Sequence, residues 1–199
     1  MYDRLVLDFS AYILAGGKSS RMGSDKAFLL WKSGTLLSNA LQLAGTIATQ
    51  VKIVGEPEKF AAFGTVIRDI YPERGPLAGI HAALSSTSTQ WNLILAVDIP
   101  LVEPRFLEYL AEQAGSSEAV VAAPLAEGRA QPLCAIYRKE FAALAEASLR
   151  AGRNKIDPLF AKIRTRLIEP EELAREGFSE QMFRNLNTPE EFSRASQGG

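Results

Sequence analysis

Short apolar segments alternate along the chain with stretches that repeat hydrophobic residues at helical spacing. Apolar segments bounded by polar residues, Gly or Pro are typical of buried strands, and they are residues 12–14, 51–54, 65–67, 93–97, 119–123 and 133–137. Helical spacing falls at residues 36–47, 77–84, 104–114, 138–150 and 154–161, and a last helical turn opens at residue 188. This alternation predicts an α/β fold with a mostly parallel sheet and helices on both faces.

Length and charge narrow the class of protein further. The 199 residues are 47% hydrophobic, which is enough for one substantial core, so we expect a single domain. Because 22 basic residues face 23 acidic ones, no overall field draws the protein onto nucleic acid or an anionic membrane. No apolar stretch approaches the roughly 20 residues that cross a bilayer, and the start lacks a signal peptide's basic region and cleavage site. A cytoplasmic protein without membrane or nucleic-acid partners is predicted.

The single cysteine and the single histidine offer little chemistry. One cysteine excludes an internal disulfide framework and leaves no thiolate cluster for zinc. Cys134 lies in an apolar run, which favours a buried strand residue over a nucleophile. His81 follows a turn within the segment 80–84, where a helix residue is favoured over a catalytic base.

A glycine-containing loop with three cations follows the first predicted strand. Glycines at positions 16 and 17 let the backbone approach phosphates closely and turn successive N–H groups toward anionic oxygens. Arg21 and Lys26 can then supply countercharge to departing pyrophosphate. The loop lacks the spacing of both the Walker and the dinucleotide-binding patterns. The alternative is an ordinary strand-to-helix turn with solvated cations.

Two carboxylates follow predicted strands. Asp98 ends the apolar segment 93–97, and Asp69 follows the segment 65–67 shortly before a tight Gly-Pro turn. Ligands of open parallel sheets bind at the carboxyl edge, where both residues are expected. Mg²⁺ commonly takes one or two protein carboxylates together with water and phosphate oxygens, so Asp98 is a candidate ligand. The alternatives are a turn or helix cap for Asp98 and a cap or surface residue for Asp69.

The glycine loop resembles a known family. LAGG at residues 14–17, followed by RMG at 21–23 and DK at 25–26, looks like the signature of molybdenum cofactor guanylyltransferases. The resemblance implies a single-domain, Rossmann-like nucleotidyltransferase fold and Mg²⁺-dependent transfer of GMP from GTP to molybdopterin, or to molybdenum-molybdopterin, with release of pyrophosphate. It implies catalytic roles for Arg21, Lys26 and Asp98, with Asp98 as metal ligand. The implied GTP contacts are Leu14, Ala15, Gly16, Gly17, Arg21, Lys26, Asp69, Gly75, Gly79 and Asp98.

The segment NLNTPEEF at residues 185–192 resembles the C-terminus of the same family. Asn185 and Asn187 alternate along an extended segment and so face one side, where amides supply donors and acceptors. The resemblance implies that both contact the pterin substrate. It divides the domain 1–199 into a leader (1–10), a nucleotide-binding half (11–100) and a pterin-substrate half (101–195), and it admits accessory or acceptor molybdoenzyme proteins as partners. Val54 stands where the family pattern carries an asparagine that contacts GTP.

Two other functions remain open at this level. The first is a cytidylyltransferase that acts on molybdopterin or on a sugar phosphate, because related enzymes carry similar glycine loops. The second is a noncatalytic nucleotide-sensing module, in which the loop binds a nucleotide and Asp98 only caps a turn. Release of pyrophosphate in the presence of GTP and molybdopterin separates these possibilities.

Overall fold

A computed structural model describes residues 8–16, 25–186 and 191 of the chain. Within them, eight strands form one sheet, and two further strands form a separate hairpin. In chain order the strands are β1 (Phe9–Leu14), β2 (Leu30–Trp31), β3 (Gly34–Thr35), β4 (Gln50–Val54), β5 (Val66–Ile67), β6 (Trp91–Ala96), β7 (Val121–Ala126), β8 (Arg129–Ala130), β9 (Cys134–Arg138) and β10 (Thr165–Ile168). All six predicted strands are present, and β1 starts at Phe9 rather than at residue 12.

The sheet has the strand order β10-β7-β9-β6-β1-β4-β5, with β8 paired to β7. The pairs β10–β7, β6–β1, β1–β4 and β4–β5 are parallel, whereas β9 runs antiparallel to both β6 and β7. The mostly parallel sheet predicted from the alternation of elements is therefore confirmed. Because β6, β1, β4 and β5 are all parallel, their carboxyl ends meet at one edge of the sheet.

Seven α-helices are described in this part of the chain. They are α1 (Leu36–Ala44), α2 (Pro57–Phe60), α3 (Pro76–Ser86), α4 (Pro104–Gly115), α5 (Phe141–Arg150), α6 (Asp157–Phe160) and α7 (Pro170–Arg175), with two short 3-10 helices at Lys26–Phe28 and Glu180–Phe183. The five predicted helices correspond to α1, α3, α4, α5 and α6. The elements not predicted from the sequence are α2, α7, β8, β10 and the hairpin of β2 and β3. The helical turn predicted from residue 188 begins outside the described residues.

The helices cover both faces of the sheet, as predicted. In β1, Ala11 and Ile13 belong to the core cluster that includes residues of α1, α4 and α7. Tyr12 and Leu14, which alternate with them, belong to the second cluster with residues of α3, α5 and α6. Every residue of β6 is buried, because a central strand covered on both sides has no face for water. The sheet therefore leaves its carboxyl edge as the place for a ligand.

Candidate functional site

The candidate site lies where four parallel strands end side by side. Leu14 at the end of β1 pairs in register with Val54 of β4 and with Ala96 of β6, and Val54 pairs with Ile67 of β5. The residues that follow these strand ends therefore share one edge. Gly16, Asp98 and Asp69 are brought there, as the sequence predicts.

The start of the glycine loop is tied to the neighbouring strand. The N–H groups of Ala15 and Gly16 both donate to the carbonyl of Val54, at 3.1 and 3.3 Å. These two donors are thus engaged inside the fold, contrary to the expectation that the backbone of the loop turns them toward phosphate. The side chains of Leu14 and Ala15 are buried, so these residues shape the edge. Gly17 and Arg21, also predicted to contact GTP, lie outside the described residues.

Lys26 and Asp98 meet at this edge although 72 positions separate them in the sequence. The ammonium Nζ of Lys26 lies 2.9 Å from Oδ2 of Asp98, and their side chains are 16% and 25% exposed. Asp98 follows β6 directly, while Lys26 begins the short 3-10 helix that Asp25 caps. The structure thus joins two of the three residues predicted to be catalytic in one partly desolvated ion pair.

The C-terminal segment reaches the same strand end. The backbone N–H of Leu186 donates to the carbonyl of Asp98 at 3.1 Å, and the Leu186 side chain is buried. Asn185 is exposed immediately before this contact. Asn187 lies outside the described residues. The predicted pterin-side segment is therefore attached beside the candidate metal ligand through Leu186. This contact was not predicted from the sequence, although Leu186 is the apolar residue between the two asparagines.

Asp69 has a different environment from Asp98. Its atom Oδ1 is buried and finds no hydrogen-bond partner among the described residues. Burial raises the pKa of this carboxyl above its usual value. A carboxylate oxygen that is desolvated and unpaired gains stability from any N–H donor placed before it. Asp69 is therefore a partly buried carboxyl group at the β5 end of the edge, and one of its oxygens lacks a partner among the described residues.

The two glycines predicted at the site have separate structural reasons. Gly75 precedes α3 with φ 70° and ψ −164°, a backbone conformation that favours glycine. A Cβ at Gly79 would lie 3.3 Å from Cδ2 of Leu14 and 3.6 Å from Cγ1 of Val54, so its bare backbone lets α3 approach the strands closely. The Val54 side chain is buried in this contact. It therefore packs in the core.

His81 and Cys134 are structural, in agreement with the sequence analysis. His81 is buried in α3, with Nε2 3.2 Å from Oγ of Ser85, and burial lowers its pKa. Cys134 is buried in β9, and burial raises the pKa of its thiol. A neutral imidazole and a protonated thiol inside the core cannot reach a substrate at the sheet edge.

Residues 8–16, 25–186 and 191 contain neither a cluster of metal-binding side chains nor a membrane-spanning helix. No group of three or more His, Cys, Asp or Glu side chains there could enclose a metal ion. None of the helices described there is long and apolar enough to span a bilayer.

Comparisons with known proteins show the family to which the chain is similar. Residues 11–165 match the family model of the MobA-like NTP transferase domain. A protein of Clostridium perfringens described as "Probable molybdenum cofactor guanylyltransferase" is 33% identical over 187 residues, which cover 92% of this chain and 93% of the relative. A protein of Carboxydothermus hydrogenoformans with the same description is 33% identical over 183 residues, with 92% of each chain covered.

The fold is also similar to a solved structure. The crystal structure of molybdopterin-guanine dinucleotide biosynthesis protein A from Archaeoglobus fulgidus superimposes with a TM-score of 0.80 and 26% sequence identity. The similarity covers 94% of this chain and 97% of the archaeal one. The similarity to these relatives and to this solved structure thus extends over nearly the whole fold, including both halves of the sheet.

Proposed function

Since the chain belongs to the family of MobA-like NTP transferases, we propose that it transfers GMP from GTP to molybdopterin, or to molybdenum-molybdopterin, and releases pyrophosphate. Family membership confirms the resemblance seen in the glycine loop. The relatives' names supply the two substrates. The observation that carries the proposal within this chain is the Lys26–Asp98 pair at the end of β6, beside the glycine loop.

The residues at this edge fit Mg²⁺ bound in its usual protein mode. Mg²⁺ keeps several waters and takes one or two carboxylates plus substrate phosphate oxygens, and Asp98 is one carboxylate at an open strand end. Asp98 already lies 2.9 Å from a cationic group, so the site accommodates positive charge. Asp98 would hold the metal, which would supply positive charge to offset that of the triphosphate.

The proposed reaction is an in-line displacement at the α-phosphorus of GTP. A phosphate oxygen of the pterin forms the new P–O bond as the bond to the β-phosphate breaks, and the electron pair leaves with pyrophosphate. The nucleophile is already ionised, so no side chain needs to remove a proton. Lys26 then exchanges its contact with Asp98 for the triphosphate, where its charge balances the leaving group. The protein contributes position and electrostatics.

Recognition of the two substrates follows the strand order. Asp69, two strands beyond β1, accepts hydrogen bonds from the nucleotide through its carboxylate. Gly75 and Gly79 allow α3 to close this end of the edge. Asn185 and Asn187, carried by the segment that Leu186 fastens to Asp98, meet the pterin. Gly17 and Arg21 complete the phosphate contacts.

A nucleotide panel tests the proposal. Purified protein is incubated with molybdopterin and Mg²⁺ and with GTP, CTP, ATP or UTP in separate reactions, and pyrophosphate and the dinucleotide product are measured. GTP-dependent formation of both supports the proposal. CTP as the preferred substrate would instead identify a cytidylyltransferase. If GTP binds tightly but pyrophosphate release does not exceed that of the Asp98→Asn variant, the protein is instead a nucleotide-sensing module.

A further inference from the structure

The segment that carries Lys26 has little stability of its own. Residues Lys26–Phe28 form a single 3-10 turn, in which Oδ1 of Asp25 accepts the N–H of Ala27 at 3.2 Å. One hydrogen-bonded turn fixes many dihedral angles for few hydrogen bonds, so isolated turns of this kind do not persist in water. The position of Lys26 therefore depends on the surface against which the turn packs.

That surface is the helix α2 with the turn after it. The ring of Phe28 lies 5.6 Å from the ring of Phe60 and 5.4 Å from that of Phe63, measured between centroids. Phe60 is 1% exposed and Phe63 is 45% exposed. Tilted aromatic pairs at these distances attract each other beyond the area they bury. The two rings thus hold the turn through the side chain of Phe28.

A cation of α2 supports the same contact. Nζ of Lys59 lies 3.2 Å from Oε2 of Glu56 and 3.6 Å from Oδ2 of Asp25. The pKa of Lys59 is raised, chiefly by its hydrogen bond to Glu56 and also by Asp25. Lys59 is 45% exposed, and exposed ion pairs contribute little to stability. The rings therefore carry more of the contact than the charge does.

The surface formed by Phe60, Phe63 and Lys59, called the seat below, is itself fixed to the carboxyl edge of the sheet. The helix α2 begins shortly after β4 ends, and a Cβ at Gly55 would come within 2.8 Å of the Phe60 ring. The Phe60 ring therefore lies directly against the backbone that leaves β4. Because this backbone runs beside Gly16, the seat sets the distance between Lys26 and the strand ends.

From these contacts we propose that Phe63, with a smaller contribution from Lys59, is a positioning residue that holds Lys26 at the triphosphate. The inference rests on the proposed role of Lys26. If the seat is weakened, Lys26 spends less time in the competent position, and the apparent affinity for GTP falls by the same fraction.

The test is a double-mutant cycle read by calorimetric titration with GTP and Mg²⁺ in the absence of pterin. Phe63→Ala is expected to raise the dissociation constant of GTP by about fivefold. In a Lys26→Ala background the same change is expected to have no further effect. Phe63→Tyr retains the ring and should restore affinity. Leu30→Ala is the matched control, since Leu30 is 81% exposed in the neighbouring strand and belongs to none of these ring contacts.

The outcomes test the role of the seat and the role of Lys26 separately. A full fivefold loss in the Lys26→Ala background, or unchanged affinity in Phe63→Ala, overturns the seat while the role of Lys26 stands. Unchanged GTP affinity in Lys26→Ala removes that role, and the seat falls with it. Thermal unfolding monitors each variant. If Phe63→Ala does not fold, Lys59→Met replaces it, with an expected loss of about twofold that also disappears without Lys26.

Discussion

Asp98 and Asp69 both follow a parallel strand at the same edge of the sheet, yet their surroundings favour different partners. Asp98 lies 2.9 Å from the ammonium of Lys26. Asp69 has a buried oxygen without a partner in the described part of the chain, and its pKa is raised by burial. An ion-paired carboxylate can exchange one cation for another, whereas a desolvated one gains most from hydrogen-bond donors.

In the proposed function, this difference divides the edge into an end for charge and an end for recognition. Asp98 follows β6 and Asp69 follows β5, with β1 and β4 between them. Three strand spacings correspond to roughly 14 Å, a distance that an extended nucleoside triphosphate can bridge from its phosphates to its base. The comparison teaches that equal position after a strand does not give equal chemistry, because the neighbours of each carboxylate decide its task.

Removing the carboxylate at the charge end should have the largest effect. Asp98→Asn keeps the shape of the side chain but loses the charge that the metal and Lys26 require, so we expect turnover to fall by about a thousandfold or more. Pyrophosphate release at saturating GTP and Mg²⁺ measures this, and chemical denaturation checks that the variant is folded. Activity within tenfold of the unmodified protein would break the assignment of Asp98 to charge.

The cation at the same end should matter for binding. Lys26→Ala removes one charged phosphate contact from a partly buried site, and such contacts are worth about 1.5 to 3 kcal/mol. GTP affinity measured by calorimetry without pterin should fall accordingly. Lys139→Ala is the matched control, because Lys139 follows β9 at the opposite edge of the sheet. Equal losses in the two variants would point to overall charge rather than to a specific contact.

At the recognition end, function and stability should move in opposite directions. Asp69→Asn keeps an acceptor oxygen but loses the charge, so GTP affinity should fall by about tenfold. The raised pKa means that ionising Asp69 costs the folded state stability as pH rises above the ordinary value of 3.8. At pH 7 the variant should therefore be more stable, by roughly a few tenths of a kcal/mol because solvent screens this partly exposed group.

The sign of the stability change sharpens the comparison between the two carboxylates. Denaturation at pH 7 should show Asp69→Asn gaining stability and Asp98→Asn gaining none, since the latter loses its pair with Lys26. At a pH below 3.8 the advantage of Asp69→Asn should vanish, because Asp69 is then protonated in both the folded and the unfolded protein. A gain that persists there would have a cause other than the buried charge.

The smallest effects are expected away from the edge. Cys134→Ser and His81→Ala should leave turnover per folded molecule within about twofold, because both side chains are buried in the core. Either variant can lose stability, since a new hydroxyl or a cavity inside a packed core is unfavourable. Turnover is therefore normalised to the folded fraction. Loss of activity in a fully folded variant would show that chemistry extends beyond the sheet edge.

The sequence predicts that Asp98 and the start of the glycine loop lie at one edge of the sheet because this placement depends on general rules, but it does not predict the ion pair between Lys26 and Asp98. Apolar segments ending in polar residues predict strands, and parallel strands bring their carboxyl ends together. The use of the Ala15 and Gly16 N–H groups could not be predicted, since it depends on the register between β1 and β4. The composition of the loop favours phosphate binding, but the register between β1 and β4 determines which backbone N–H groups remain available to bind phosphate.

The elements that were not predicted from the sequence escaped prediction for physical reasons of the same kind. Strand β10 has four residues at the edge of the sheet, and Ile168 is the one that is fully buried, so its apolar signal is weak. Helix α2 spans one turn and is marked by Pro57 at its start, a signal that the sequence does contain. The Leu186 contact is backbone to backbone and leaves no trace in side-chain pattern.

The hydrogen bond from Leu186 to Asp98 also has a consequence for the order in which the site is built. A chain emerging from the ribosome presents the glycine loop, Asp69 and β6 long before the segment that closes over the end of β6. The sheet can pair while this segment is still being synthesised, but the charge end lacks its final backbone contact. The last backbone contact beside Asp98 therefore forms only when nearly the whole described fold has been synthesised.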